Sequence, residues 1–207
     1  MIASALAAVS RLITGAVVEW RSDPHSAAQR IYFANHSSHL DFIVIWSALP
    51  PAQRRVTMPV AGGDYWDRGA LRRYLAREVF HAVLIERRPT ADAPGPSTAR
   101  ASLERMIVAL NSGSSLIVFP EGTRSTSGEV GTFKSGLFHL ARARPDAELI
   151  PVSLENLNRI LPKGESLPVP MMSRVIFGPP LRSSPAEDKA AFLAGARVSL
   201  LQLRSAS

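Results

Sequence analysis

Apolar residues along the chain fall into two kinds of run that alternate. Short, mainly apolar runs lie at residues 31–34, 56–61, 82–85, 115–119, 148–154 and 174–177. Their length and their β-branched or aromatic character predict buried strands. Between them, apolar positions recur every three or four residues, the spacing of one helix face. Such stretches are 42–49, a short segment around Leu71, Tyr74 and Leu75, 98–113 with Leu103, Met106, Ile107 and Leu110, and 135–144. A long closing helix covers 185–204, with Phe192, Leu193, Val198, Leu200, Leu201 and Leu203. Punctuation agrees: Pro50-Pro51 stops the second helix, Pro59 breaks the second strand, and Gly62-Gly63 closes it. Residues 89–97, rich in Pro, Ala, Gly, Thr and Ser, read as an exposed loop. Strands alternating with amphipathic helices predict an α/β fold, a mostly parallel central sheet flanked by helices.

The first twenty residues are apolar, with Ile2, Leu6, Val9, Ile13, Val17 and Trp20 at helical steps and Arg11 on the face away from Ile2. This predicts one amphipathic helix, ended by Asp23-Pro24-His25. Arg11 interrupts the run, which falls short of the ~20 continuous apolar residues of a membrane span. No Lys or Arg precedes it, which argues against a secretory signal. Two readings stand: the helix lies on a membrane surface with Trp20 at the interface, or it packs on the domain. With 207 residues, the expectation is a single domain over 1–207, residues 1–25 forming the N-terminal helix and 26–207 the core.

Polar residues change the picture where strands end. Ile31-Tyr32-Phe33-Ala34 runs directly into Asn35-His36-Ser37-Ser38-His39-Leu40-Asp41. Residues five apart diverge by about 140° on a helix, so His36 and Asp41 meet only if His36 sits in the turn and Asp41 in the first helical turn. Ser37 or Ser38 would then be the N-cap. A His–Asp pair is a general base with an orienting carboxylate. The chain has no cysteine and no Gly-x-Ser-x-Gly elbow, so the base is expected to act on a hydroxyl of the substrate. Two other readings of these residues remain open here. They could be turn and cap residues, or His36, His39 and Asp41 could hold a metal, for which further ligands are lacking.

A second cluster, Glu121-Gly122-Thr123-Arg124, offers an arginine fork, a hydroxyl and a glycine whose N–H can approach an anion. Thr132-Phe133-Lys134-Ser135-Gly136 adds a lysine at a predicted helix start. The charge balance is 24 Lys and Arg against 17 Asp and Glu, net +7, nearly all of the basic residues being arginine. That suits anionic lipid or a phosphorylated substrate. Nucleic acid would also fit the charge, but no binding module or aromatic–basic alternation supports it.

In order along the chain, these segments resemble the glycerolipid acyltransferases, the lysophosphatidic acid (1-acyl-sn-glycerol-3-phosphate) acyltransferases among them. Asn35 to Asp41 matches the His-x4-Asp motif, Ile85-Glu86-Arg87 resembles the second motif, and Phe119-Pro120-Glu121-Gly122-Thr123-Arg124-Ser125 matches the third. Ile150-Pro151-Val152-Ser153 and Phe133-Lys134-Ser135-Gly136 resemble two further ones. The resemblance implies transfer of a fatty acyl group from acyl-CoA or acyl-carrier protein to the free hydroxyl of a lysophospholipid, foremost 1-acyl-glycerol-3-phosphate to give phosphatidic acid; the alternatives are the same chemistry on a lyso-aminolipid, another lysophospholipid or glycerol 3-phosphate, or a lipid-binding protein without catalysis. Catalysis would fall to His36 and Asp41. Asn35, Arg87, Glu121, Gly122, Thr123, Arg124 and Lys134 would bind substrate, the acceptor's phosphate and glycerol above all. It implies no metal or redox cofactor, and an enzyme held peripherally at the cytoplasmic face of a membrane. Two departures stand out: His81 replaces the glycine that usually opens the second motif, and Gly62-Gly63 stands where many members carry a lysine.

Overall fold

A computed structural model describes residues 2–38, 40–86, 96–125, 128–157, 172–181 and 186–205. Its sheet has the strand order β1-β7-β6-β2-β5-β3-β4. These strands are β1 (Val17–Trp20), β2 (Arg30–Ala34), β3 (Thr57–Gly62), β4 (Val83–Ile85), β5 (Ser115–Val118), β6 (Glu148–Glu155) and β7 (Arg174–Phe177). Neighbours pair in parallel except β6 with β7. The mostly parallel sheet expected from the sequence is therefore the one observed. All residues of β2 and β5 are buried, as strands covered by helices on both faces must be.

One face of the sheet carries Tyr32, Ala34, Ile117, Ile150, Val152 and Phe177, packed under α1 (Ile2–Thr14) and α2 (Asp41–Ala48). The other carries Ile31, Phe33, Leu116, Val118 and Leu149 under α6 (Pro96–Asn111), α7 (Gly136–Ala143) and α8 (Lys189–Ser205). At the start of β2, Arg30, 1% exposed, bonds the Glu148 carboxylate at 2.8 Å and the Asp23 carbonyl at 2.7 Å. Burial opposes its charge, but Glu148 and Tyr32 together outweigh burial and hold its pKa above the ordinary arginine value.

The N-terminus differs from expectation. The helix ends at Thr14, because Gly15 takes φ 49° and turns the chain. Residues 17–20 are not helical: they form β1, paired with Arg174–Phe177, and Trp20 stacks on Phe177 with ring centroids 3.7 Å apart. Trp20 is thus part of the sheet's edge. Within α1 the expected apolar stripe splits: Leu6 packs on the core while Ile2, Val9 and Ile13 stay exposed. Ala3, Leu6, Ala7, Ser10 and Thr14 pack inward, Arg11 bonds the Ser47 carbonyl, and Ile2, Val9 and Leu12 face outward. Small residues let α1 approach α2 closely, which an Ile-and-Val stripe would not.

Other boundaries shift for local reasons. Pro50-Pro51 stops α2 but also starts α3 (Pro51–Val56), with proline at a first-turn position. Pro59 does not break β3. It sits where β3 stops pairing with β5 and, from Val60, pairs with β4. The single short helix expected around Leu71, Tyr74 and Leu75 is divided into α5 (Ala70–Tyr74) and a π-helical turn over Leu75–Val79, and α4 (Gly63–Trp66) precedes it. That turn puts Ala76, Val79 and Phe80 into the core, where Phe80 meets Phe42, Trp46 and Trp66 edge-on. Most of the expected 89–97 loop lies outside the described residues, although Pro96 already belongs to α6.

Candidate active site

Strand β2 ends at Ala34, and the next residues form a turn whose backbone is fastened from several directions. Asp41 opens α2 and is fully buried. Its Oδ2 accepts three donors: His36 Nδ1 at 2.8 Å, and the N–H groups of Ser37 at 2.6 Å and Ser38 at 2.8 Å. The base-and-orienter geometry expected from the five-residue spacing is present. The cap is not as expected. Leu40 is the N-cap, with no side-chain bond, and the Ser38 hydroxyl accepts from the Leu40 N–H at 3.3 Å. The Asp41 carboxylate instead reaches back over the turn and ties its two N–H groups to the start of α2. Because Nδ1 faces the carboxylate, Nε2 is the nitrogen left with a lone pair. The His36 ring lies against Phe119, centroids 4.2 Å apart and nearly parallel.

A cleft opens beside this ring, lined by His36, Phe42, Val60, Ala61, Asp64, Tyr65, Trp66, Phe119 and Arg124. Apolar and aromatic side chains dominate it, with a base, a guanidinium and a carboxylate as its polar groups. One terminal nitrogen of Arg124 is buried without a hydrogen-bond partner among the described residues. An anion would satisfy it. Arg124 also lines a second cleft with Glu121, Thr123, Ser125 and Gly131.

The remaining expected residues divide. Glu121 has 6% exposure, and backbone amides engage both its oxygens: Oε1 accepts the His36 N–H and Oε2 the Gly131 N–H, each at 2.8 Å. It joins two loops, where direct contact with the acceptor was expected. Asn35 is likewise occupied: its amide gives to the Leu154 carbonyl at 2.9 Å and takes the Leu154 N–H at 2.8 Å. That prolongs the pairing of β2 with β6 by one side chain. Gly122 has φ 71°, a left-handed conformation that favours glycine, and the Lys134 ammonium lies 2.8 Å from where a Cβ would stand. Thr123 is exposed at the rim. Arg87 and His39 lie outside the described residues. Among the described residues no three His, Asp or Glu side chains converge as a metal site would require.

Sequence reasoning passed over Asp64, Tyr65 and Trp66, although their position just after a strand end was a usable signal. It also passed over the Ser125 N–H, which donates to the His36 carbonyl at 2.7 Å, and Gly131, which no pattern marks. His81 occupies the left-handed region at φ 48°, which explains why glycine is the usual residue there.

A family model described as Acyltransferase matches residues 18–155. The chain is 29% identical over 171 residues to the chloroplastic 1-acyl-sn-glycerol-3-phosphate acyltransferase LPAT1 of Arabidopsis thaliana, covering 79% of this chain and 42% of that protein. It is 28% identical over 176 residues to a 1-acyl-sn-glycerol-3-phosphate acyltransferase of Limnanthes alba, covering 82% and 56% respectively. The chain thus spans about half the length of the curated relatives it matches. In three dimensions it resembles the crystal structure of the 1-acyl-sn-glycerophosphate (LPA) acyltransferase PlsC from Thermotoga maritima. The TM-score is 0.77 at 20% identity, over 99% of this chain and 79% of that one.

Proposed function

The chain belongs to the acyltransferase family whose model spans residues 18–155, and from that premise we propose that it acylates a lysophospholipid. The acyl group comes from acyl-CoA or acyl-carrier protein, and the acceptor is 1-acyl-glycerol-3-phosphate, giving phosphatidic acid. The observation that carries this reading is His36, oriented by Asp41 at 2.8 Å, in one cleft with Arg124, one of whose terminal nitrogens has no partner among the described residues. A base and an anion-binding cation so placed suit a phosphate-bearing alcohol.

The proposed steps use these residues in turn. Arg124 holds the acceptor phosphate, and Nε2 of His36 takes the proton of the acceptor hydroxyl. The oxygen attacks the thioester carbonyl, and Asp41 stabilises the imidazolium that forms. Collapse of the tetrahedral intermediate breaks the C–S bond, and the imidazolium returns its proton to the leaving thiolate. Protons and electrons balance without a metal or redox cofactor.

The acceptor carries one acyl chain and lives in a bilayer, so the enzyme works at a membrane surface, peripherally and on the cytoplasmic side. No helix of the described residues is long and apolar enough to cross a membrane. Leu12 (84% exposed), Ile2 (56%) and Val9 (49%) form the outer apolar face of α1. Leu71 (70%) and Tyr74 (43%) stand among the exposed Arg68, Arg72 and Arg73. Apolar insertion by the first group and arginine contact with anionic lipid by the second give reversible attachment.

Asp64 favours a second acceptor class. It faces the same cleft, next to Gly62-Gly63. A carboxylate there suits an acceptor whose phosphate carries an amine, with Arg124 on the phosphate and Asp64 on the ammonium. One experiment separates the two: labelled acyl-CoA and acyl-carrier protein are offered with lysophosphatidate, amine-bearing lysophospholipids, glycerol 3-phosphate and monoacylglycerol, and products are read by mass spectrometry. Preference for lysophosphatidate supports the first reading, and preference for the amine-bearing lipids the second. Acylation of monoacylglycerol at an equal rate would remove the phosphate site, and no product from any acceptor would overturn the function.

A further inference from the structure

Residues 156–207 lie beyond the matched family segment, yet their last helix reaches the catalytic histidine through bonds that can be followed atom by atom. On α8, Arg197 donates to the Val130 carbonyl from Nη2 at 2.8 Å and from Nε at 3.2 Å, and Nε also reaches the Gly131 carbonyl at 3.1 Å. The Val130 carbonyl and the Gly131 N–H are the two ends of one peptide unit. That N–H donates to Oε2 of Glu121 at 2.8 Å, and Oε1 of the same carboxylate accepts the His36 N–H at 2.8 Å.

We infer that Arg197 is a positioning residue for the base, acting through the Val130–Gly131 peptide and the Glu121 carboxylate. Three observations carry it. First, a guanidinium on the carbonyl polarises the peptide, and a polarised peptide donates more strongly to an anion at its other end. Glu121 has no ion-pair partner among the described residues, so this peptide brings cationic support to a carboxylate that is 6% exposed. Second, the fit is tight: a Cβ on Gly131 would stand 2.9 Å from Oε2 of Glu121. The loop is seated on that oxygen, and Val130, 3% exposed, anchors it in the core cluster that also holds Phe133. Third, His36 is clasped on its other side too, by the Ser125 N–H on its carbonyl at 2.7 Å. A shift of Glu121 therefore turns the His36 backbone about a second fixed point and moves the ring relative to the cleft.

Arg204 supplies an internal control. It lies on the same helix and donates to the Gly128 carbonyl at 3.1 Å, a peptide that does not feed Glu121. Both arginines tie α8 to the same loop, but only Arg197 is in line with the base.

The kinetic arm of the test rests on the transferase reading, and the spectroscopic arm does not. Arg197→Gln is expected to lower kcat about tenfold, a change worth about 1.4 kcal/mol, with the acceptor KM unchanged. Arg204→Gln, which removes a comparable tie between α8 and the loop, should leave kcat alone. Arg197→Lys keeps the charge and one bond and should restore part of the rate; it also serves if the Gln variant folds poorly. In a Glu121→Gln background, Arg197→Gln should cost nothing more, since the relay is already cut. In NMR spectra of the full chain, the Gly131 amide proton, shifted downfield by its carboxylate bond, should move upfield in Arg197→Gln, and the His36 amide proton on the same carboxylate should move with it in either direction. If those protons move and the parent transfers no acyl group, the positional link stands and the transferase reading falls. Additive losses in the double variant, or amide protons that stay in place, would overturn the inference.

Discussion

Replacing Asp41 with asparagine tests the base with the least disturbance to the fold. The carboxylate is buried and its Oδ2 takes three donors. The introduced amide is nearly isosteric and can still accept from the Ser37 and Ser38 N–H groups. Those two bonds lose their charge assistance, roughly 1 kcal/mol each. The loss is offset in part because a buried charge, whose Oδ1 has no partner among the described residues, is no longer required. A net destabilisation up to about 2 kcal/mol lowers Tm by about 4–8 °C in a chain of this size. The kinetic effect is larger. An imidazolium and a carboxylate with charge centres about 4 Å apart attract by about 4 kcal/mol at an effective dielectric near 20. That attraction is absent from the neutral ground state and present at the transition state, so kcat should fall roughly a thousandfold. The assay is acyl transfer at saturating acceptor, well below Tm, with Tm measured alongside. A rate within about threefold of the parent in a folded protein would refute the argument, since it leaves less than about 1 kcal/mol for the carboxylate. Alanine is the poorer choice, because it leaves buried donors unpaired at about 1–3 kcal/mol each, a large share of a total stability that is typically about 5–15 kcal/mol.

Arg124→Ala should raise the acceptor KM and lower kcat for phosphorylated acceptors, while activity on monoacylglycerol changes little; a uniform loss on both would place Arg124 outside the phosphate site. Asn35→Ala removes two reciprocal bonds to Leu154 and should cost about 2–4 kcal/mol of stability with the acceptor KM of the folded enzyme unchanged, read by denaturant unfolding beside kinetics. His81→Gly relieves a left-handed conformation at an exposed residue, worth about 1 kcal/mol, and should raise Tm by about 2–4 °C; a lower Tm would mean the imidazole makes contacts that matter more than strain. Val9→Asp with Leu12→Asp should weaken flotation with anionic vesicles and leave Tm unchanged, because both side chains face outward. Deleting everything before Asp23 would not test this, since it also removes β1 from the sheet.

The sequence made legible what depends on neighbours in the chain. Strands β2 and β5 are continuous apolar runs because both their faces are covered, and such runs are readable at any position. The His36–Asp41 pair was readable because a turn followed by a helix start is the one local geometry that brings those side chains together. What escaped depends on partners far along the chain or on single dihedral angles. Residues 17–20 look like a continuing helix until Gly15 turns and Arg174–Phe177 supplies a strand to pair with. The inward face of α1 is chosen by the Ser47 carbonyl and the surface of α2, not by the apolar count. Asn35 and Glu121 sit within motifs and so suggest substrate contact, but Leu154, Gly131 and the His36 backbone claim their polar atoms.

That claim has an electrostatic consequence for the site. Glu121 and Arg124 lie three residues apart and would commonly be read as an ion pair. In the fold Glu121 directs its charge at the amides of His36 and Gly131, and Asp41 directs its own at His36, Ser37 and Ser38. Both carboxylates are thus balanced chiefly by backbone dipoles, and among the described residues Arg124 has no ion-pair partner. An arginine already paired with a buried carboxylate would have to give up that partner before it could hold a phosphate, and binding would be weakened by the difference. Keeping the acids on amides leaves the guanidinium uncommitted at the cleft wall, so a phosphate arriving there gains its full charge-assisted bonds. The same partition places two negative charges behind the base and one positive charge in front of it, the polarity that a reaction passing through an imidazolium and a bound phosphate requires.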